Sequence, residues 1–185
     1  MLVLKRASTV HLSTVYSTHT RSLKILLPSS VDPSIRVKYH PRSVKVSQSG
    51  IYTKITKYLF SQRITIANTK TVPIENLKII DQIPVSEDPR ISVKLVNPAL
   101  GVPGTASSSA NWGERKVLPP VSVASGVVAQ WHGADEGGVE VETLGRDGKL
   151  NWVCAVPAQE QIGLVLEWEV VAPQTVKTAI QGLTS

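Results

Sequence analysis

Residues 53–68 read TKITKYLFSQRITIAN. Tyr58, Phe60, Ile64 and Ile66 fall at alternate positions, with Gln62 interrupting the series, while Leu59, Ser61, Arg63, Thr65 and Ala67 fill the positions between. A period of two with β-branched residues predicts a strand with one buried face. Asn68-Thr69-Lys70 supplies a turn after it. Ile35-Arg36-Val37-Lys38-Tyr39 alternates apolar and basic, then stops at His40-Pro41. Residues 72–80 predict a further strand, with Pro73 at its start, where no ladder donor is needed. Residues 91–96 predict another, ended by Asn97-Pro98.

Two patterns near the C-terminus are clear. Leu150, Trp152, Cys154 and Val156 alternate with Asn151, Val153 and Ala155, and Leu164, Leu166, Trp168 and Val170 alternate with Val165, Glu167, Glu169 and Val171. Asp147-Gly148 is a turn signal before the first strand. Pro157-Ala158-Gln159-Glu160-Gln161 between the two strands predicts a hairpin. Residues 98–136, rich in Gly, Ser, Ala and Pro, predict a long, partly mobile loop with one or two short strands around Val117 and Val127. No stretch carries a long amphipathic helical period. Strands separated by Pro/Gly turns predict an all-β fold, an antiparallel β-sandwich immunoglobulin-like in general architecture. The expected organisation is an irregular leader or truncation remnant at 1–30, the sandwich at 31–174 and a tail at 175–185.

Charge is unevenly spread. The net +6 conceals a first 70 residues with twelve lysines and arginines against the single acid Asp32. The remaining 115 residues hold eight lysines and arginines against thirteen acids. A basic half suits a polyanion. Yet these cations are scattered through strand patterns, with no basic run and no stacking aromatics among them, so solvated strand faces are the simpler reading and nucleic acid is not the expected partner. The acid-free first thirty residues, rich in Ser, Thr, Lys and Arg, have the composition of a mitochondrial transit peptide. The expected location is cytoplasmic, with a mitochondrial one as the alternative that this acid-free stretch raises. No apolar run is long enough to span a membrane.

Catalytic and metal motifs are missing from the pattern. Four dispersed histidines and the lone Cys154 make no metal-ligand spacing. Cys154 shares the apolar face of its strand and is expected to be a buried, inert thiol. No nucleophile elbow, phosphate loop or dinucleotide fingerprint occurs. No catalytic residue, metal ligand or cofactor is assigned. Five residues are candidates for a binding surface. Asp81, Glu87 and Asp88 lie in DQIPVSED, a proline-punctuated knot read as a strand-to-strand corner with its acids facing solvent. Trp112 and Trp131 lie in the long loop, where they either anchor a sugar or a protein partner, or tuck the loop onto the sandwich.

The blocks at residues 58–68 and 76–80, DQIPVSED, Gly148-Lys149-Leu150-Asn151-Trp152 and Leu166-Glu167-Trp168-Glu169-Val170 resemble the domain of unknown function 4139. That domain is the C-terminal region of mucoidy inhibitor A-like proteins. Val31-Asp32-Pro33-Ser34-Ile35-Arg36-Val37 is similar to the segment entering it. The resemblance spans roughly residues 31–174, with a fungal look, and the first thirty residues depart from it. It implies a β-rich domain that follows an N-terminal β-domain and a coiled coil in full-length relatives, so this chain looks N-terminally truncated. It offers no catalytic residues. Strands supplied upstream in relatives would leave a sheet edge open to self-association. The expected function is a non-enzymatic β-sandwich module for protein interaction or scaffolding. The alternatives are a carbohydrate-binding or carbohydrate-processing domain, and polyanion or nucleic-acid binding through the basic half.

Overall fold

In a computed structural model, residues 33–50, 54–101, 118–136 and 138–173 are described. They form nine strands, β1 (Ile35–Tyr39), β2 (Ser43–Ser49), β3 (Ile55–Asn68), β4 (Ile74–Gln82), β5 (Ser92–Asn97), β6 (Val121–Ala124), β7 (Val127–Trp131), β8 (Lys149–Val156) and β9 (Gln161–Pro173). One 3-10 turn, Val141–Thr143, precedes β8. The leader with its transit-peptide reading, the loop around Trp112 and the C-terminal tail lie outside the described residues.

All pairings are antiparallel. One sheet runs β1-β3-β9-β5, with β2 also on β3, and the other runs β4-β8-β7-β6. The inner faces of both sheets feed one apolar core, and the fold is the expected β-sandwich. The long β3–β9 ribbon is its spine, in register from Ile55↔Pro173 to Ala67↔Gln161. Phe60, Ile64 and Ile66 face inward, as their spacing predicts, beside Trp168, Leu164 and Leu166. Phe60 and Trp168 stack at 5.3 Å between centroids, within the range of favourable aromatic pairs.

Gln62 is buried in this apolar row for a local reason. β1 and β2 both pair with the same edge of β3, with Tyr39↔Ile64 and Ser43↔Ser61. Three residues, His40, Pro41 and Arg42, thus face only two, Gln62 and Arg63. That is a one-residue bulge, and proline is tolerated there. Gln62 Nε2 donates to the His40 carbonyl at 2.5 Å and to the Arg63 carbonyl at 3.1 Å, so its amide occupies the site where ladder bonds are interrupted. Arg42 leaves the bulge and lies 5.1 Å from the Trp168 ring centroid, a cation–π distance.

The predicted hairpin between the last two strands does not form. β8 pairs with β4 and β7, whereas β9 pairs with β3 and β5, so the intervening corner crosses from one sheet to the other. Both strands have one apolar row, and that row meets the core from opposite sides. Of the long loop, residues 102–117, with the strand expected around Val117, lie outside the described residues, and the strand expected around Val127 is β7. Ser125-Gly126 closes a β6–β7 hairpin, with Gly126 at φ 69. Its inner residues Val127, Ala129 and Trp131 face the same side as Cys154, Trp152 and Leu150.

Candidate interaction surface

DQIPVSED is a corner, as read from its sequence, but its acids do not share one environment. Asp81 lies on β4 opposite Leu150, and Ile79 lies opposite Trp152. This register puts the Asp81 side chain on the inner face, and the residue is only 9% exposed. The expectation that all three acids face solvent is therefore corrected at Asp81. Its Oδ1 accepts the Gln82 N–H at 2.9 Å. Glu87 is exposed. Asp88 is committed to Arg90: its Oδ1 accepts Arg90 N–H at 2.9 Å and Nε at 3.0 Å, and its Oδ2 accepts Nη2 at 2.7 Å. These Arg90 bonds hold the Asp88 carboxyl down at about 2. Ser86 Oγ closes the turn with the Asp88 carbonyl at 3.0 Å and the Asp88 N–H at 3.2 Å.

The corner packs on another of the sequence blocks singled out above. Ile83 N–H donates to the Gly148 carbonyl at 2.9 Å, and Gln82 Nε2 donates to the Asp147 carbonyl at 2.8 Å. The DQIPVSED and GKLNW blocks thus meet at one end of the four-stranded sheet.

Trp131 ends β7 and is 7% exposed. Its Nε1 donates to the Gly101 carbonyl at 2.8 Å. The ring tucks the chain onto the sandwich and presents no stacking face, which removes it from the binding candidates. Trp112 lies outside the described residues. Cys154 is buried, and burial pushes its thiol up to about 12, far from a reactive thiolate. Among the described residues no three His, Cys, Asp or Glu side chains converge to hold a metal ion.

A polar cluster that the scattered spacing of its members conceals sits on the outer face of the four-stranded sheet. Pairing of β7 with β8 brings His132 Nδ1 within 3.0 Å of Asn151 Oδ1. Lys78 Nζ donates to Asp135 Oδ2 at 2.9 Å. Burial, the largest single influence, raises the Asp135 carboxyl, but the Lys78 bond and charge and a backbone hydrogen bond together outweigh it, and the net shift is downward. Each charged group here has its counter-charge, and the cluster fastens the segment after β7 to the sheet.

The feature most open to a partner is β2. All seven residues of SVKVSQS are exposed, and among the described strands β2 pairs only with β3. Val44 and Val46 lie opposite Phe60 and Tyr58, on the inner-face side, yet remain 45% and 56% exposed. Its sequence signal is short, the alternation Val44-Lys45-Val46 in a Ser-rich stretch. Strand pairing also organises the basic half. Arg36 and Lys38 on β1, Lys45 on β2, and Lys57 and Arg63 on β3 all alternate with inward residues, so they share the outer face of the five-stranded sheet. Glu167 and Glu169 on β9 belong to the same face, and Glu169 Oε2 lies 4.0 Å from Lys57 Nζ.

No helix among the described residues is long and apolar enough to cross a membrane. No curated protein and no solved structure matches the chain. A family model does, over residues 7–174, and so reaches back into the first thirty residues, which the resemblance in the sequence blocks does not cover. That stretch has no distinctive motif of its own to reveal the kinship. The chain belongs to the family of the domain of unknown function DUF4139.

Proposed function

We propose that this chain is a non-enzymatic β-sandwich module that docks partner proteins. The observation that carries the reading is β2, a seven-residue edge strand with every residue exposed. Unpaired N–H and C=O groups on such an edge are a template for an incoming strand, a recurring mode of peptide recognition. The likeness of the DQIPVSED and GKLNW blocks to mucoidy inhibitor A-like proteins, with a fungal cast, belongs to the same reading. A carbohydrate-binding role has less support, since Trp131 offers no exposed ring. Polyanion binding is supported by six cations on the outer face, Lys94 on β5 joining the five above, although Glu167 and Glu169 interrupt that face.

Photo-crosslinking tests the docking reading. A photoreactive residue is placed at Val46, on β2, and at Arg146, an exposed turn residue as control. Discrete protein adducts at position 46 and not at 146 are expected. Equal adducts, or none, at the two positions would overturn it.

A further inference from the structure

We infer that β2 takes an extended acidic segment of another protein, added as a strand whose residues alternate apolar and carboxylate side chains. The inference rests on the docking reading and specifies the occupant.

Side chains of adjacent strands meet face by face, so an incoming strand must match the alternation of the edge it joins. The edge reads Val44-Lys45-Val46. Val44 and Val46 project to the inner-face side and Lys45 to the outer face. Apolar residues of the added strand would lie beside the two exposed valines and remove them from water. Its carboxylates would lie beside Lys45. Across the bulge the same outer edge continues with Arg36 and Lys38, both exposed, so the row of cations outlasts β2 itself. Neighbouring strands are ~4.8 Å apart, which brings directly opposed charged side chains within ion-pair reach.

The same charges argue against other occupants. A second copy pairing edge to edge about a two-fold axis would bring its own Lys45, Arg36 and Lys38 against these cations, and opposed like charges destabilise a sheet. A nucleic acid lying on the outer face would meet Glu167 and Glu169 two strands in from the edge. Among the described residues the aromatic rings of this sheet, Tyr39, Tyr58, Phe60 and Trp168, lie on the opposite, inner side and cannot stack on bases.

A lysine on an exposed edge also has a purely protective role, preventing aggregation. Binding of the full chain to a fluorescent nonapeptide of alternating valine and glutamate separates the two roles. Anisotropy would be compared with a valine/lysine nonapeptide and a thymidine oligonucleotide, for the wild type, Lys45→Glu and Lys45→Ser. The expected result is binding of the acidic peptide only, weakened about threefold by Lys45→Ser and about tenfold by Lys45→Glu. Lys45→Glu should also gain affinity for the valine/lysine peptide. Amide hydrogen exchange should show new protection in residues 43–49 when the acidic peptide is bound. No acidic-peptide binding, or binding indifferent to Lys45, would overturn the inference. So would binding of the oligonucleotide alone, or self-association of Lys45→Ser without peptide binding. Partner adducts at position 46 together with any of these results would leave the docking reading standing and remove only the acidic occupant.

Discussion

Asn68 Nδ2 donates to the Pro157 carbonyl at 2.9 Å, tying the last residue of β3 to the chain leaving β8 in the opposite sheet. The same amide donates to the carbonyls of Val72 at 2.9 Å and Val156 at 3.3 Å, and its Oδ1 accepts the Lys70 N–H at 2.9 Å. One buried side chain therefore braces two of the four crossings between the sheets among the described strands, β3 to β4 and β8 to β9. Asn68→Ala would leave buried carbonyls without a donor, and is expected to cost about 2–3 kcal/mol. Urea denaturation measures it. A loss below ~0.5 kcal/mol would show that water replaces the amide without penalty.

Gly148 sits at φ 71, where glycine is favoured, and a Cβ there would collide with the Ile83 carbonyl oxygen. Backbone strain alone costs ~1–3 kcal/mol, and the collision adds to it. Gly148→Ala is expected to lower stability by at least about 2 kcal/mol. It should also shift the amide resonances of residues 81–85, because the corner rests on this turn. Unchanged resonances there would refute the contact.

The Asp88–Arg90 pair gives a pH dependence with a definite sign. The folded carboxyl, at about 2, lies below the ordinary aspartate value of 3.8. Ionised Asp88 therefore favours the folded state fully above the ordinary carboxylate range, and that contribution is lost as pH falls from about 4 toward 2. Carboxyl NMR titration should place Asp88 near 2 in the wild type and return it toward 3.8 in Arg90→Ala. A midpoint unchanged by that substitution would assign the shift to another cause.

Periodicity along the chain determined which residues face inward on β3, β8 and β9, since a strand has two faces and burial selects the apolar one. Gln62, the interruption in that pattern, has a tertiary explanation: its amide serves the bulge between β1 and β2, at His40, 22 positions earlier. The sheet partner of each strand was not legible. β8 and β9 carry equivalent apolar rows, and either a hairpin or a crossing buries them. The crossing corner is held by Asn68, 89 positions from Pro157. Asp81 turned inward for a related reason, because pairing with β8 aligned it with Leu150. The strand pattern and the DQIPVSED block made the fold class and family legible from sequence alone. Only pairing across the sheets decided which cations share a face, which tryptophan is hidden and which edge stays open, because each depends on residues far apart in the chain.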